Sequence, residues 1–313
     1  MSASGALLLD PYPTKDAYMK RLHDLKQSKS TLEKGGYVVQ ALTKGDLAAG
    51  IYNKPCKSSL EHLAAVYQPG ELEEVYRYYA TPAITHSTSP CLAVAIDCEM
   101  GTSVTNNPVL IRVTLVDYFT SEVLVDKLVW PDEPPLHYNT RFSGVTYGQM
   151  AGAKSGGECL FGNAGARDAI WRFVGPETIV VAHSGQNDLS VMRWIHNNIV
   201  DTFLVESLPV VKLQREARER AEKEKPAGSP AEKKQRSPGD KKPVGEPEKK
   251  KKNPKGSGQF SLKTLSRVRL GRDIQVGNGG HDSVEDAIAA RDIAHWNVLN
   301  FGHGVYEIQS SVD

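Results

Sequence analysis

Short apolar runs that suit buried strands recur through the middle of the chain. Residues 91–97 (CLAVAID) are apolar up to a polar end, and residues 178–183 (TIVVAH) form a second run of this kind. Residues 109–118 and 122–130 are rich in β-branched side chains and partly alternate between apolar and polar positions, which predicts two further strands. Residues 199–207 (IVDTFLVES) are predicted to form another strand.

Segments with helical character lie between and after these strands. Helices are predicted over residues 165–174, 187–198 and 261–271 and from Ser283 onward. Because strands alternate with helices, we expect an α/β domain over residues 91–302. Residues 303–313 would then form a C-terminal tail.

Residues 1–90 are predicted to be a helical N-terminal extension. Apolar residues recur at helical spacing between Lys15 and Lys26, and residues 58–67 and 71–80 have the character of two further short helices. No residue pattern in this region indicates chemistry. We therefore expect the extension to pack on, or be tethered to, the α/β domain.

The charge of the chain is unevenly distributed. Residues 212–255 contain 16 basic and 8 acidic residues, a net charge of +8, whereas the remaining residues carry 22 basic and 29 acidic, a net charge of −7. Residues 211–258 also contain almost no apolar side chains to bury, which predicts a disordered, lysine-rich insertion within the domain. A basic segment in an acidic body favours binding to a polyanion such as nucleic acid.

Cysteine usage and apolar runs bear on the cellular compartment. The cysteines form no C-x-x-C pair, so we expect free thiols in a reducing environment: Cys56, Cys91, Cys98 and Cys159. The N-terminus is a poor signal peptide, and no apolar run approaches the roughly 20 residues that span a bilayer. These features predict a soluble, intracellular protein without a membrane partner. The run 249–255 (KKKKNPK) resembles a nuclear import signal, which favours the nucleus over the cytoplasm.

Three clusters of polar residues are candidates for chemistry. Asp97 and Glu99 lie two residues apart at the end of a predicted strand, so their side chains share one face. Two carboxylates at that distance repel each other unless a cation lies between them. A solvated strand end would be the simpler interpretation of this pair alone.

The other two clusters lie at predicted helix starts. Asp188 falls in the first turn of a helix that Asn187 is predicted to cap, and Ser283 with Asp286 resembles a capping box. His281 lies in the loop five residues before Asp286. Helix capping alone would explain the acids, and a single histidine in a loop is usually solvated.

Taken together and in this order, the three clusters resemble the motifs of the DEDDh class of 3′–5′ exonucleases, and within it the Rex-type RNA exonucleases. The matching segments are AIDCEMG at 95–101, AHSGQNDL at 182–189 and HDSVEDA at 281–287. Weaker matches are LIRVTLVD, TRFSGVT, VDTFLVES and SLKTLSRVRLG. The resemblance covers about residues 91–300, excluding the insertion.

This resemblance implies an RNase H-like fold, with a central mixed β-sheet flanked by helices. It also implies that four carboxylates hold two divalent ions, Mg²⁺ or Mn²⁺: Asp97, Glu99, Asp188 and Asp286. His281 would be the general base, and Asp282 stands where a related class of these enzymes has tyrosine. Met100 and Gly101 would cradle the terminal nucleotide, and His183 would line the cleft.

The implied function is a metal-dependent 3′–5′ exonuclease acting on single-stranded RNA ends. Two metal ions can serve both the attacking and the leaving oxygen of a phosphodiester, and hard oxygen ligands select Mg²⁺ or Mn²⁺. The motifs do not distinguish RNA from DNA, so a DNA 3′–5′ exonuclease is an alternative. A non-catalytic nucleic-acid-binding protein of the same fold is a second alternative, although the chain keeps all four acids and the histidine.

Overall fold

The computed structural model describes residues 14–41, 77–223, 257–277 and 279–300. The strands are β1 (Tyr79–Ala80), β2 (Ala93–Ser103), β3 (Pro108–Asp117), β4 (Val123–Trp130), β5 (Pro135–His137), β6 (Leu160–Phe161), β7 (Ile179–Ala182), β8 (Trp194–Ile195) and β9 (Ile199–Asp201). The helices are α1 (Lys15–Asp24), α2 (Lys29–Lys34), α3 (Thr140–Ser143), α4 (Tyr147–Ser155), α5 (Gly162–Ile170), α6 (Gln186–Val191), α7 (Thr202–Lys223), α8 (Leu262–Leu270) and α9 (Ser283–Leu299).

A central mixed sheet organises these elements. Its strand order is β6-β4-β3-β2-β7-β9, and β5 pairs with the far end of β2. The neighbours β2–β3 and β3–β4 are antiparallel, whereas β2–β7 and β7–β9 are parallel. The predicted α/β class with a mixed sheet at its centre is confirmed.

Helices cover both faces of the sheet. Alternate residues of β2 therefore pack into two different cores, one on each face. Val94, Ile96 and Cys98 join the core that contains α5 and α6 residues, and Ala93 and Ala95 join the core that contains α1 and α9 residues. Side chains at positions 97 and 99 follow the second set by strand alternation. The two acids of the first motif therefore lie on the side of the sheet that α9 covers.

The N-terminal extension is part of this packing. Tyr18 and Leu22 of α1 are fully buried against the α9 side, and Leu32, Tyr37 and Val39 belong to the opposite core. The predicted helix at Lys15–Lys26 is confirmed as α1, and packing on the α/β domain is confirmed for residues 14–41. The segment 58–67 and most of 71–80 lie outside the described residues.

Two predictions about secondary structure were wrong. The strand expected over 199–207 ends at Asp201, because the Asp201 carboxylate accepts the backbone N–H groups of Phe203 and Leu204 and turns the chain into α7. The helix expected over 187–198 ends at Val191, and the buried Trp194 instead pairs in β8 with β1.

The predicted insertion is partly helical. Residues 211–223 continue α7 rather than being disordered, and an Arg215–Glu219 ion pair of 2.8 Å spans one turn of this exposed stretch. Residues 224–256 and the tail 303–313 lie outside the described residues. Three of the four cysteines are described, and all three are free thiols as expected: Cys91, Cys98 and Cys159. None of the described helices is long and apolar enough to cross a membrane.

Candidate active site

The first two candidate ligands stand on the central strand. Asp97 pairs in register with Thr114 of β3, and Glu99, which is only 7% exposed, pairs with Arg112. A β-bulge follows immediately, between Glu99 and Met100. Bulges locally redirect a strand and its side chains, so the strand changes direction just beyond the second acid.

Asp188 reaches the same strand from the start of α6. The residue is 5% exposed, and burial raises its pKa, a rise that the nearby backbone amide of Cys98, between the two acids of β2, partly offsets. The expected cap by Asn187 is wrong: Gly185 occupies the N-cap position and contributes no side-chain bond. The placement of Asp188 in the first turn is confirmed.

Asp286 lies in the first turn of α9 and is 4% exposed. The predicted capping box is wrong, because Asp282 is the N-cap and accepts the N–H of Val284 at 3.1 Å. The Ser283 hydroxyl instead lies against β3. Both oxygens of Asp286 lie within hydrogen-bond distance of the Gln275 amide nitrogen, at 3.2 and 2.9 Å.

His281 lies in the loop just before α9. Its Nδ1 is 3.7 Å from a carboxylate oxygen of Asp286, and its side chain is 42% exposed. Its backbone N–H donates to the carbonyl oxygen of Phe142 at 2.5 Å. The loop is packed so closely on the turn after α3 that a Cβ at Gly280 would overlap the backbone of Gly144.

The acids influence one another strongly. Burial is the main cause that raises the pKa of Asp97, and the charges of Asp188, Asp286 and Glu99 raise it further. Burial raises the pKa of Glu99 and of Asp188 to about 8 each, and that of Asp286 to about 6. Four carboxylates from three separate segments therefore lie near one another in a poorly solvated region, where repulsion disfavours their ionised forms.

The four carboxylates are not arranged as the ligands of a bound metal ion. Among the described residues, no three His, Cys, Asp or Glu side chains meet at distances that would hold a metal ion. Repulsion between the acids acts over distances of up to about 10 Å, whereas a metal–oxygen bond is about 2 Å long. The four carboxylates can therefore raise one another's pKa without being at ligand distance from a common ion. The Gln275 amide lies against both oxygens of Asp286, so a cation bound there would compete with this contact. In charge, burial and donor type the four acids fit a hard divalent cation.

Arg112 is a residue that the sequence motifs did not single out. Its guanidinium donates to both oxygens of Asp126 at 2.7 and 2.9 Å and lies 3.3 Å from Asp282. It also lowers the pKa of Glu99, against which it is paired in register. The antiparallel register of β2 and β3 is the feature that could have identified it.

Asn139 joins the carboxylate strand to the histidine loop. Its left-handed backbone (φ 53°) is unusual for a residue other than glycine, and its amide donates to the Met100 carbonyl and to Thr102. The α3 turn that it begins carries Phe142, whose carbonyl holds His281. A cleft of about 380 Å³ lies beside this turn and is lined by Arg112, Ser143, Val145, Gln149 and His281, among other residues.

The three predicted substrate-contact residues have different environments. Met100 and Gly101 follow Glu99 directly on β2, and Gly101 packs so tightly that a Cβ would come within 3.0 Å of the His137 carbonyl. His183 instead contacts the beginning of α7: its Nδ1 lies 2.9 Å from the Thr202 hydroxyl and its ring packs edge-on against Phe203. Burial lowers the pKa of His183 to about 4, so it is neutral at physiological pH.

The chain is similar in sequence to curated RNA exonucleases. Over 256 residues the chain is 28% identical to RNA exonuclease 3 of Candida albicans, covering 80% of this chain and 50% of that protein. It is 32% identical over 229 residues to RNA exonuclease 1 of Saccharomyces cerevisiae, covering 72% of this chain and 31% of that protein. No family model matches the sequence.

Among solved structures, the Saccharomyces cerevisiae Pan2 pseudoubiquitin hydrolase–RNA exonuclease module in complex with AAGGAA RNA is similar, with a TM-score of 0.47 and 20% identity over 72% of this chain and 32% of that one. This chain spans half or less of the length of the curated relatives described above. The resemblance predicted from the three motifs is thereby confirmed, and over most of its length the chain is a homologue of proteins named RNA exonuclease 1 and RNA exonuclease 3.

Proposed function

We propose that this protein is a metal-dependent 3′–5′ exonuclease that hydrolyses phosphodiester bonds from single-stranded RNA ends. The observation that carries the proposal is the proximity of four carboxylates from β2, α6 and α9, three of them buried and each with a raised pKa. Perturbed acids in a cluster are typical of functional sites. The relatives named RNA exonuclease favour this chemistry over other uses of such a cluster.

Each residue has a role that its environment supports. Asp97, Glu99, Asp188 and Asp286 would hold two Mg²⁺ or Mn²⁺ ions, whose bound state supplies charge stabilisation at the attacking and leaving oxygens. His281 is half-exposed beside Asp286 and takes the proton of the attacking water. Met100 and Gly101, directly after Glu99, are placed to contact the terminal nucleotide.

His183 has a weaker case as a substrate contact, because its contacts lie with α7 and its imidazole is neutral. The residue as a whole is half-buried, which leaves room for a contact with substrate. Its replacement by alanine should affect KM more than kcat if it touches substrate.

The choice between RNA and DNA is tested by one assay. Purified full-length protein is given RNA and DNA oligonucleotides of the same sequence, with EDTA, Mg²⁺ or Mn²⁺. We expect cleavage of RNA only with a divalent ion and slower cleavage of DNA. Equal rates of cleavage of RNA and DNA would indicate a 3′–5′ exonuclease that does not select the sugar. Binding of RNA without cleavage under all conditions would indicate the non-catalytic alternative.

We also propose that the protein acts in the nucleus, on the basis of the lysine run 249–255. A fluorescently tagged chain should accumulate in the nucleus, and substitution of Lys249–Lys252 by alanine should release it to the cytoplasm. A tagged wild-type chain that stays cytoplasmic would remove this proposal.

A further inference from the structure

One side chain of the N-terminal extension, that of Tyr37, packs beside the helix that carries Asp188. Tyr37 follows α2, is 5% exposed and belongs to the core on the α6 side of the sheet. Leu189 and Val191 of α6 lie in the same core. Residues 14–41 therefore contact the helix that carries Asp188.

The Tyr37 hydroxyl contacts two groups there. It donates a hydrogen bond to Asp201 Oδ2 at 2.6 Å, and it lies against the backbone of Gly185. Asp201 is fully buried at the end of β9, and its other oxygen accepts the backbone N–H of Ser184 at 3.0 Å. The tyrosine thus holds the Asp201 carboxylate, and that carboxylate holds the Ser184 amide in the turn that leads into α6.

Gly185 makes this contact possible through its lack of a side chain. Its φ of −65° is open to any residue, so backbone freedom does not explain the glycine. A Cβ at this position would come within 2.5 Å of the Ala182 Cβ and 3.0 Å of the Tyr37 hydroxyl. Close approach of the phenol to the backbone therefore requires glycine here.

This turn determines where Asp188 points. Gly185 is the N-cap of α6 and has no side chain to cap the helix, while its carbonyl accepts the N–H of Leu189 at 3.0 Å. The hydroxyl of Tyr37 and the carboxylate of Asp201 provide the polar contacts that would otherwise come from a capping side chain. Asp188 lies three residues later, within the first turn that these contacts fix.

We propose that Tyr37 is a positioning residue for Asp188. The N-terminal extension would thus help to form the divalent-cation site by fixing one of its ligands, without contacting the cation itself. Removing the hydroxyl takes one hydrogen bond from the Asp201 carboxylate, which keeps its backbone donors, and removes the polar contact at Gly185, so the start of α6 loosens. The effect on the cation site is transmitted through the backbone, because the Tyr37 hydroxyl bonds to Asp201, which holds the Ser184 amide of the turn. This inference rests on the proposed function only where it concerns catalysis.

The test compares Tyr37→Phe with Tyr18→Phe in the full-length protein. Tyr18 belongs to the same extension and is also fully buried, and its hydroxyl lies 2.8 Å from that of Tyr118 and 2.6 Å from His295 Nδ1. Both variants lose one buried hydroxyl that bridges two groups. They differ in that only Tyr37 adjoins the Asp188 turn.

Three quantities are measured: amide hydrogen exchange of residues 184–191 in EDTA, Mn²⁺ affinity by calorimetry, and kcat and KM on RNA. For Tyr37→Phe we expect amide exchange to accelerate and KM to change little. Mn²⁺ affinity and kcat should each fall by about tenfold, which is the lower end of the effect of losing a group that supports a metal ligand. Tyr18→Phe should leave all of these near wild type, even where its thermal stability falls equally.

Equal exchange and equal Mn²⁺ affinity in the two variants would overturn the inference. Should Tyr37→Phe fail to fold, Asp201→Asn keeps the ring and the shape of the site and must produce the same local changes. A wild-type protein that binds Mn²⁺ but does not degrade RNA would refute the proposed function, whereas the exchange and affinity measurements would still decide the role of Tyr37.

Discussion

The hydroxyl groups of Thr114 and Ser283 lie 2.7 Å apart, and both residues are fully buried. Thr114 is the register partner of Asp97, and Ser283 opens the helix that carries Asp286. The contact joins residues 169 positions apart in the chain. It therefore ties the first and the third motif together independently of any cation.

Ser283→Ala should loosen this connection. The Thr114 hydroxyl keeps its contact with Asp126 at 3.2 Å, so the loss of stability should be that of one hydrogen bond, about 1 kcal/mol. Urea unfolding should show this loss, and RNA cleavage should fall because Asp286 is held less firmly opposite Asp97. An exposed control, Ser87→Ala, should change neither quantity. Unchanged stability of Ser283→Ala would show that the contact contributes nothing.

The four acids make opposite contributions to catalysis and to stability. Asp97→Asn or Asp188→Asn should abolish cleavage while leaving the fold intact. At pH 9, where these carboxyls are ionised, the metal-free variants should also be more stable than wild type, because a neutral amide removes a buried like charge from the cluster. Thermal unfolding in EDTA checks this, with Asp168→Asn, an exposed acid on α5, as the control.

The pH dependence of the metal-free protein follows from the same cluster. The pKa of Glu99 and that of Asp188 are raised to about 8, so the folded state binds protons that the unfolded chain has released. Stability should therefore rise as the pH falls from about 9 to about 7. The pKa values of the buried His183 and His196 are lowered to about 4. These histidines reduce stability as the pH falls, but only below about pH 6.5, where the unfolded chain begins to bind their protons.

Chemical unfolding in EDTA at pH 7 and pH 9 tests this sign. The wild-type protein should be more stable at pH 7, and Asp188→Asn should show a smaller difference between the two conditions. A wild-type protein with equal or greater stability at pH 9 would contradict the assigned pKa shifts.

His281 should matter for turnover and not for cation binding. His281→Ala is expected to lower kcat by roughly 10²–10⁴, the usual effect of losing a general base. Its nearest acid is Asp286, at 3.7 Å, so Mn²⁺ affinity measured by calorimetry should stay close to wild type. A variant with a normal rate and lost Mn²⁺ affinity would show that the histidine is a ligand instead.

The basic insertion should affect the capture of long RNA. Residues 224–256 carry 11 basic and 5 acidic side chains, and cationic segments bind phosphates in a salt-dependent way. Replacing them with a short Gly/Ser linker should raise KM for long RNA and flatten its dependence on salt, while kcat on very short oligonucleotides stays unchanged. Equal salt slopes for the two proteins would reduce the insertion to a spacer.

The main parts of the fold and of the candidate site could be predicted from local patterns. β2, β3, β4 and β7 are signalled by apolar runs, and α9 by its helical spacing. Asp97, Glu99, Asp188, Asp286 and His281 were identified from three short motifs. Their meeting in space is consistent with the strand order, because β2 and β7 are adjacent and α9 packs across β2.

The residues that sequence patterns missed depend on distant partners. Tyr37 meets Asp201 across 164 positions, and nothing near Tyr37 in the sequence indicates a polar partner. Arg112 is opposite Glu99 only because of the β2–β3 register. The strand predicted through residue 207 failed for a similar reason, since the cap that starts α7 is a carboxylate already committed to Tyr37.

The direction of degradation tests the central proposal most directly. RNA labelled at its 5′ end is incubated with full-length protein and Mg²⁺, in parallel with the same RNA carrying a 3′-terminal phosphate and with the Asp97→Asn variant. We expect a ladder of 5′-labelled products that shortens one nucleotide at a time from the free 3′ end, slower degradation of the blocked RNA, and no products with Asp97→Asn. Immediate release of the 5′-terminal nucleotide, internal cleavage, or an active Asp97→Asn protein would contradict the account.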